Sequence, residues 1–161
     1  MFQAFFVVLS LLGASIHLAF SRQRRSSRLA IVETYLLYLL VIYVGLMGLL
    51  TAYAHVFRPI QTSASIGWST SPYEYEVGMA DLTIGVLGTL CAWFRGSFWL
   101  ATAIANFCWL EGDAVGHLRQ VMENNNHAEN NSGLFLYMEI AMPIVILGLT
   151  LWQRSKRSAV G

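Results

Sequence analysis

Asp113 and His117 are the two residues of this chain whose types and spacing best suit metal chemistry. They are four residues apart, so a helix projects both side chains from one face. Carboxylates and imidazoles on facing helices build the metal sites of helical bundles, and together they suit zinc, iron or manganese. The spacing differs from the Glu-x-x-His motif of di-iron bundles. The pattern therefore predicts a polar site, with a divalent metal as its sharpest interpretation.

Other carboxylates are expected at a similar depth on neighbouring helices. Only two basic residues, Arg58 and Arg119, are expected at this end of the helices, which is too few to neutralise the carboxylates one to one. Protons, water or a bound cation must balance the remaining charge. The predicted metal ligands are Glu76, Asp81, Asp113, His117 and Glu139.

Three other interpretations of these residues stay open. His55 and His117 are expected at matching depth on facing helices, as two axial haem ligands would be, so haem is an alternative cofactor. Glu76, Glu111 and Glu139 could instead face water or lipid headgroups, and Asp81 and Asp113 could hydrogen-bond loop backbone. No Ser/His/Asp or Cys/His spacing typical of a catalytic site occurs, so the catalytic residues are unknown.

The segments that carry these residues have the composition of membrane helices. Of the 161 residues 56% are hydrophobic and 12% are charged, about half the charged share of a soluble domain. Runs of about 20 apolar residues cross a bilayer as helices, because backbone groups in lipid must pair within the segment. We predict an all-α bundle in one domain, residues 1–161, with spans at about 2–21, 29–57, 77–95, 98–121 and 134–152.

The basic residues between these segments predict their orientation. If five helices alternate, eight of the ten Lys and Arg residues fall on one side, which the positive-inside rule makes cytoplasmic. The N-terminus and the loops at 58–76 and 122–133 then face outward, with the C-terminus inside. We expect a multi-pass protein of the bacterial inner membrane. A net charge of +1 does not indicate nucleic-acid binding.

Small and polar residues suggest how the helices meet. Pairs of glycines on one stripe allow close helix approach, as at Gly45/Gly48, Gly85/Gly88 and Gly112/Gly116. Near the cytoplasmic end, His17 and Glu33 are expected to pair between the first two helices. No convincing internal repeat occurs.

Several ordered motifs resemble those of small prokaryotic integral membrane proteins of unknown function, and more loosely the DoxX-like membrane proteins. The matching segments are AHVFRP (54–59), IGW (66–68), SPYEYEVGMADLTIGVLG (71–88), FWLATAIA (98–105), EGDAVGH (111–117) and NNSG (130–133).

The resemblance implies a helical bundle without an assigned activity. It singles out His55, Glu76, Asp113 and His117, together with the loop residues 130 and 131. Two positions depart from the family pattern, because Ala54 replaces a glycine and Asp81 replaces an asparagine.

Three functions remain open from the sequence. The first is a metal- or redox-centred membrane protein, of which an oxidoreductase is one form. The second is a non-enzymatic subunit or scaffold of a larger membrane complex. The third is a small proton- or ion-coupled carrier, although the lack of inverted repeats disfavours an autonomous transporter. The expected partners are the lipid bilayer and either other membrane subunits or further copies of the chain.

Overall fold

The computed structural model describes residues 2–159, and within them the chain is entirely helical apart from its connections. A short 3-10 turn, Gln23–Arg25, joins the first two helices. The predicted domain, residues 1–161, extends beyond the described residues at both ends. The six helices of the described part are α1 (Phe2–Phe20), α2 (Arg28–Phe57), α3 (Pro59–Ile66), α4 (Tyr73–Leu90), α5 (Ser97–Asn124) and α6 (Leu134–Ser158).

The all-α prediction is confirmed for the described residues. Among them α1, α2 and α6 are long and apolar enough to cross a membrane. The third predicted segment, 77–95, begins and ends earlier in the structure, since α4 runs over Tyr73–Leu90.

The predicted outer loop at 58–76 contains a helix that sequence analysis missed. Pro59 occupies the first turn of α3, where its missing N–H has no intrahelical partner to lose. Gly67 then ends α3 with a φ of 72°, a left-handed conformation that glycine adopts without strain. The loop is therefore partly helical, with breaks on both sides of α3.

Helices α2 and α4 cross with their backbones nearly touching, at the four glycines predicted to mediate close approach. A Cβ added to Gly88 would lie 2.5 Å from the Gly45 nitrogen. One added to Gly85 would lie 2.6 Å from the Leu49 nitrogen. No side chain fits between these backbones, so the crossing requires glycine. It holds the carboxylates of α4 against α2.

The predicted close approach at Gly112 is wrong. Within the described residues, a Cβ at Gly112 would meet no atom within 4 Å, and one at Gly116 would make ordinary contact with Trp68. Spacing alone does not show which face of a helix meets a neighbour. Gly112 lies on the exposed face of α5.

Helix α2 is locally widened where it passes through the core. Its middle part, Leu39–Leu46, is π-helical, a conformation that is often found near functional sites. This part places Tyr43 in the core with no exposed surface. The hydrophobic core there also includes Phe6, Leu36, Leu40, Trp99 and Ile146.

The end of the bundle that carries most of the arginines has an ion pair different from the predicted one. Glu33 Oε1 accepts hydrogen bonds from Arg157 Nε at 2.5 Å and Gln153 Nε2 at 2.8 Å. His17 Nδ1 instead lies 3.4 Å from the Tyr38 hydroxyl. The expected pairing of His17 with Glu33 is wrong, because α6 brings a stronger cationic partner to the carboxylate.

Candidate functional site

At the opposite end, the helices enclose a polar cavity of about 130 Å³. It lies beside the loops that precede α4 and α6, and the first turn of α1 also borders it. Four carboxylates, two imidazoles and two amides line the cavity beside aromatic and aliphatic side chains. Its polar lining includes Gln3, His55, Glu74, Asp81, Asn106, Asp113, His117 and Glu139.

The orientation of the His117 ring follows from two neighbouring side chains. The Trp68 indole nitrogen, which can only donate, lies 2.8 Å from Asn131 Oδ1. That oxygen also lies 2.8 Å from His117 Nδ1, which must therefore be the donor. Asn131 Nδ2 donates to the Asn126 carbonyl at 2.9 Å, consistent with this amide orientation. In the neutral ring, Nε2 is then left with a free lone pair.

Two carboxylates face this nitrogen from different helices. Asp113 Oδ2, one turn earlier on α5, lies 3.9 Å from His117 Nε2. Glu139 Oε2 on α6 also lies 3.9 Å from it. Both separations exceed hydrogen-bonding distance. Within residues 2–159, the Glu139 oxygen is buried and has no hydrogen-bond partner.

The spacing of these three groups suits a metal ion. One donor atom from each of Asp113, His117 and Glu139 lies within 4.8 Å of the other two. Zinc binds nitrogen and oxygen at about 2.0–2.2 Å in a tetrahedral arrangement, so two of its ligand atoms lie about 3.4 Å apart. The two 3.9 Å separations exceed this spacing by about 0.5 Å, a difference that small side-chain movements on binding would close.

A second histidine is oriented in the same manner across the cavity. His55 Nδ1 on α2 lies 2.7 Å from Glu74 Oε2 on α4. The other Glu74 oxygen lies 2.5 Å from the Ser63 hydroxyl of α3, which holds the carboxylate in place. His55 Nε2 lies 4.0 Å from Asp81 Oδ2. Helix α3 thus supports the imidazole through Glu74.

Asp81 is held by one oxygen and presents the other to His55. Its Oδ1 accepts a hydrogen bond of 2.9 Å from the Trp109 indole of α5. Because α4 lies against α2 at their glycine crossing, the carboxylate reaches the cavity although it is nearly buried. Asp81 therefore contributes a carboxylate oxygen to the cavity rather than a contact with loop backbone.

The cavity has an excess of negative groups over fixed positive charge. Among the residues described, no lysine or arginine lines it. Arg58 lies over the Tyr53 ring, 5.9 Å from its centroid, and Arg119 is exposed. A buried carboxylate without a positive partner is costly in a medium of low polarity. Protons or a bound cation must compensate the carboxylates.

The structure brings together most of the residues singled out from the sequence. Asp81, Asp113, His117, Glu139 and the haem alternative His55 all line one cavity. Glu76 is the exception, because it is exposed and does not line the cavity.

Sequence reasoning missed Glu74, which lies in the cavity where Glu76 was expected. The predicted helix began at residue 77, so Glu74 was assigned to a loop. With α4 beginning at Tyr73, Glu74 lies seven residues before Asp81, two turns away on the same face. A correct helix start would have revealed it.

The chain matches one known family over nearly its whole length. A family model described as a family of unknown function, DUF6790, matches residues 1–159. The chain belongs to this family. No curated protein and no solved structure matches it. The match agrees with the predicted uncharacterised family, while the looser likeness to DoxX-like proteins stays a prediction.

Proposed function

We propose that this DUF6790 protein is an integral membrane protein that binds a divalent metal ion through Asp113, His117 and Glu139. The observation that carries the proposal is the arrangement of His117. Asn131 holds its Nδ1, and its Nε2 faces two carboxylate oxygens that are both too distant to be hydrogen-bonded. Such a second contact to the ring nitrogen is typical of metal-binding histidines.

The surroundings of the cavity favour an ion over a haem. A volume of about 130 Å³ is well below the roughly 300 Å³ at which pockets accept drug-sized molecules. The mixture of one imidazole with two carboxylates suits zinc, iron or manganese. An ion there would also compensate the charge of Glu139, which is only 1% exposed.

Asp113 gives the proposed site a connection to the outside. Its side chain is 36% exposed, whereas those of His117 and Glu139 are nearly buried. Three protein ligands leave at least one position open for water or a small molecule, as in catalytic zinc sites. The site can therefore exchange ligands on the side of Asp113, and the bound metal would polarise such a ligand.

The test is metal binding by variants of the purified protein in mild detergent. His117→Ala is expected to weaken Zn²⁺ binding at this position by more than about 100-fold, since altering even a supporting contact costs 10- to 100-fold. Glu139→Gln should do the same while keeping the side-chain volume. Titration against a chromogenic chelator, followed by elemental analysis, measures the loss.

His127→Ala is the matched control. His127 is exposed in the loop before α6 and lies 3.1 Å from Asn125 Oδ1, outside the cavity. Its replacement should leave Zn²⁺ binding unchanged. Equal Zn²⁺ affinity in the wild type, His117→Ala and Glu139→Gln would contradict the proposal and favour a subunit or scaffold without a cofactor.

We further propose that α4 and α5 also cross the bilayer, giving five spans with the cavity at the outer face. Both helices expose large apolar side chains, such as Leu82 and Val86 on α4 and Ile104 and Leu118 on α5. The polar loops then lie at one face and the arginine-rich connection between α1 and α2 at the other. This arrangement agrees with the positive-inside rule.

Cysteine labelling in intact cells tests this orientation. In a variant with Cys91 and Cys108 replaced by alanine, a cysteine introduced at His127 should react with an impermeant maleimide. One introduced at Gln23 should react only after the membrane is permeabilised. The reverse pattern would show the opposite orientation, and equal labelling of both positions in intact cells would contradict five alternating spans.

A further inference from the structure

We infer that the cavity holds a second divalent ion, bound by His55 and Asp81, with Asp113 placed between the two metal positions. This inference rests on the proposed function, because the two positions share one cavity and one carboxylate. It assigns a role to the half of the cavity that a single ion at His117 leaves unused. The centre would then be dinuclear.

The first support is that His55 repeats the geometry of His117. Each ring has its Nδ1 held by an oxygen, from Glu74 at 2.7 Å or from Asn131 at 2.8 Å. Each Nε2 then faces a carboxylate oxygen at 3.9–4.0 Å. That separation is too long for a hydrogen bond and only about 0.5–0.6 Å longer than the roughly 3.4 Å between two ligands of one tetrahedral ion.

One oxygen of the Asp81 carboxylate is likewise held by a hydrogen bond, while the other faces the cavity. Trp109 donates to its Oδ1 at 2.9 Å, which leaves Oδ2 directed towards His55. An indole donor cannot neutralise the carboxylate, and no lysine or arginine of the described chain lines the cavity. A divalent cation between Asp81 and His55 supplies positive charge to balance the carboxylate and binds both Asp81 Oδ2 and His55 Nε2.

Asp113 connects the two halves. It lies 3.9 Å from the His117 nitrogen and lines the same cavity as the His55 imidazole. In two-metal sites the ions lie about 3.5–4 Å apart and share ligands. A carboxylate has two oxygens, so Asp113 can bind one ion with each.

Two unpartnered amides give independent evidence for a ligand in the cavity. Gln3 is 5% exposed and Asn106 is 1% exposed, and both line the cavity. Within the described chain, Gln3 Oε1 and Asn106 Nδ2 have no hydrogen-bond partner. Buried polar groups are normally satisfied, so such atoms indicate a bound species. Amide oxygens ligate hard cations, and the Asn106 amide presents its oxygen if turned over.

The experiment counts ions in the full-length protein. The chain is purified in mild detergent, stripped with a chelator, loaded with Zn²⁺, washed and analysed for zinc per chain. We expect about two zinc ions in the wild type and about one in His55→Ala and Asp81→Asn. His127→Ala should keep both. Asp81→Asn retains the Oδ1 acceptor for Trp109, so it carries the test if His55→Ala does not fold.

A second measurement reports the distance between the ions. Mn²⁺-loaded wild-type protein should show an exchange-coupled electron paramagnetic resonance signal, and Asp81→Asn should show the signal of an isolated Mn²⁺ ion.

One zinc ion in the wild type, with no loss in either variant, would overturn the second position and leave the proposed function intact. No zinc in the wild type would overturn both proposals.

Discussion

Replacing Asn131 by alanine is expected to destabilise the loops after α3 and α5 and to weaken metal binding at the proposed site. Asn131 has no exposed surface, and its amide joins three parts of the chain. Its Oδ1 accepts from Trp68 in the loop after α3 and from His117 on α5, while its Nδ2 donates to the Asn126 carbonyl. Alanine removes these hydrogen bonds and leaves the buried His117 donor and the half-buried Trp68 donor without an acceptor.

The expected loss of stability is on the order of 3 kcal/mol, since each lost bond costs about 1 kcal/mol and each orphaned donor adds to it. Thermal unfolding of the purified protein in detergent measures this loss. We also expect Zn²⁺ affinity to fall by about 10- to 100-fold, the usual effect of removing a contact that orients a metal-binding histidine.

Asn130→Ala is the matched control, because Asn130 is the adjacent residue in the same loop and is only half-buried. Its replacement should change the free energy of unfolding by less than about 0.5 kcal/mol. If Asn131→Ala unfolds at the wild-type temperature, the hydrogen-bond network does not hold the loop as described. A stability loss without any change in Zn²⁺ affinity would show that Asn131 does not contribute to metal binding through His117.

Replacement of glycine by alanine is expected to change stability in opposite directions at the crossing of α2 and α4 and at an open position of α6. Gly88→Ala is expected to destabilise the bundle by about 1–3 kcal/mol, because overpacking forces the surrounding structure apart. The added carbon would lie within 2.7 Å of the backbone of Gly45 and Leu40, and backbone atoms cannot turn aside as a flexible side chain can.

Gly148→Ala provides the comparison on α6. Within the described residues, an added carbon at Gly148 meets nothing within 4 Å, so the substitution should be neutral or stabilise the helix by up to about 1 kcal/mol. Thermal unfolding of both variants in the same detergent measures the direction of each stability change. Equal effects would show that helix propensity, rather than close packing, governs Gly88.

Much of the proposed metal site is predictable from the sequence because ionisable residues are rare in apolar helices. Asp81, Asp113, His117 and Glu139 stand out against their surroundings, and the i, i+4 spacing places Asp113 beside His117 in any helix. Glu74 was missed and Glu76 chosen because the predicted start of α4, residue 77, lies four residues after its start in the structure, Tyr73. That error moves the expected carboxylate to the exposed face of the helix.

Helix packing was less predictable, since glycines three residues apart (Gly45/Gly48) and four apart (Gly112/Gly116) both lie on one helix stripe. Only the arrangement of neighbouring helices puts the first pair at a backbone crossing and leaves Gly112 open. In the same way, α6 supplies Arg157 to Glu33 across 124 positions of sequence, which local reasoning had paired with His17.

The amino-acid sequence by itself therefore determined the helical class, the apolar segments and the residue types available for metal chemistry. These follow from local composition and from the periodicity of a helix. The tertiary structure alone decided which side chains meet, because contacts such as Trp68 to Asn131, separated by 63 positions, depend on how the helices pack. It also placed His55 opposite Asp81, since α2 and α4 approach closely enough only through their glycines.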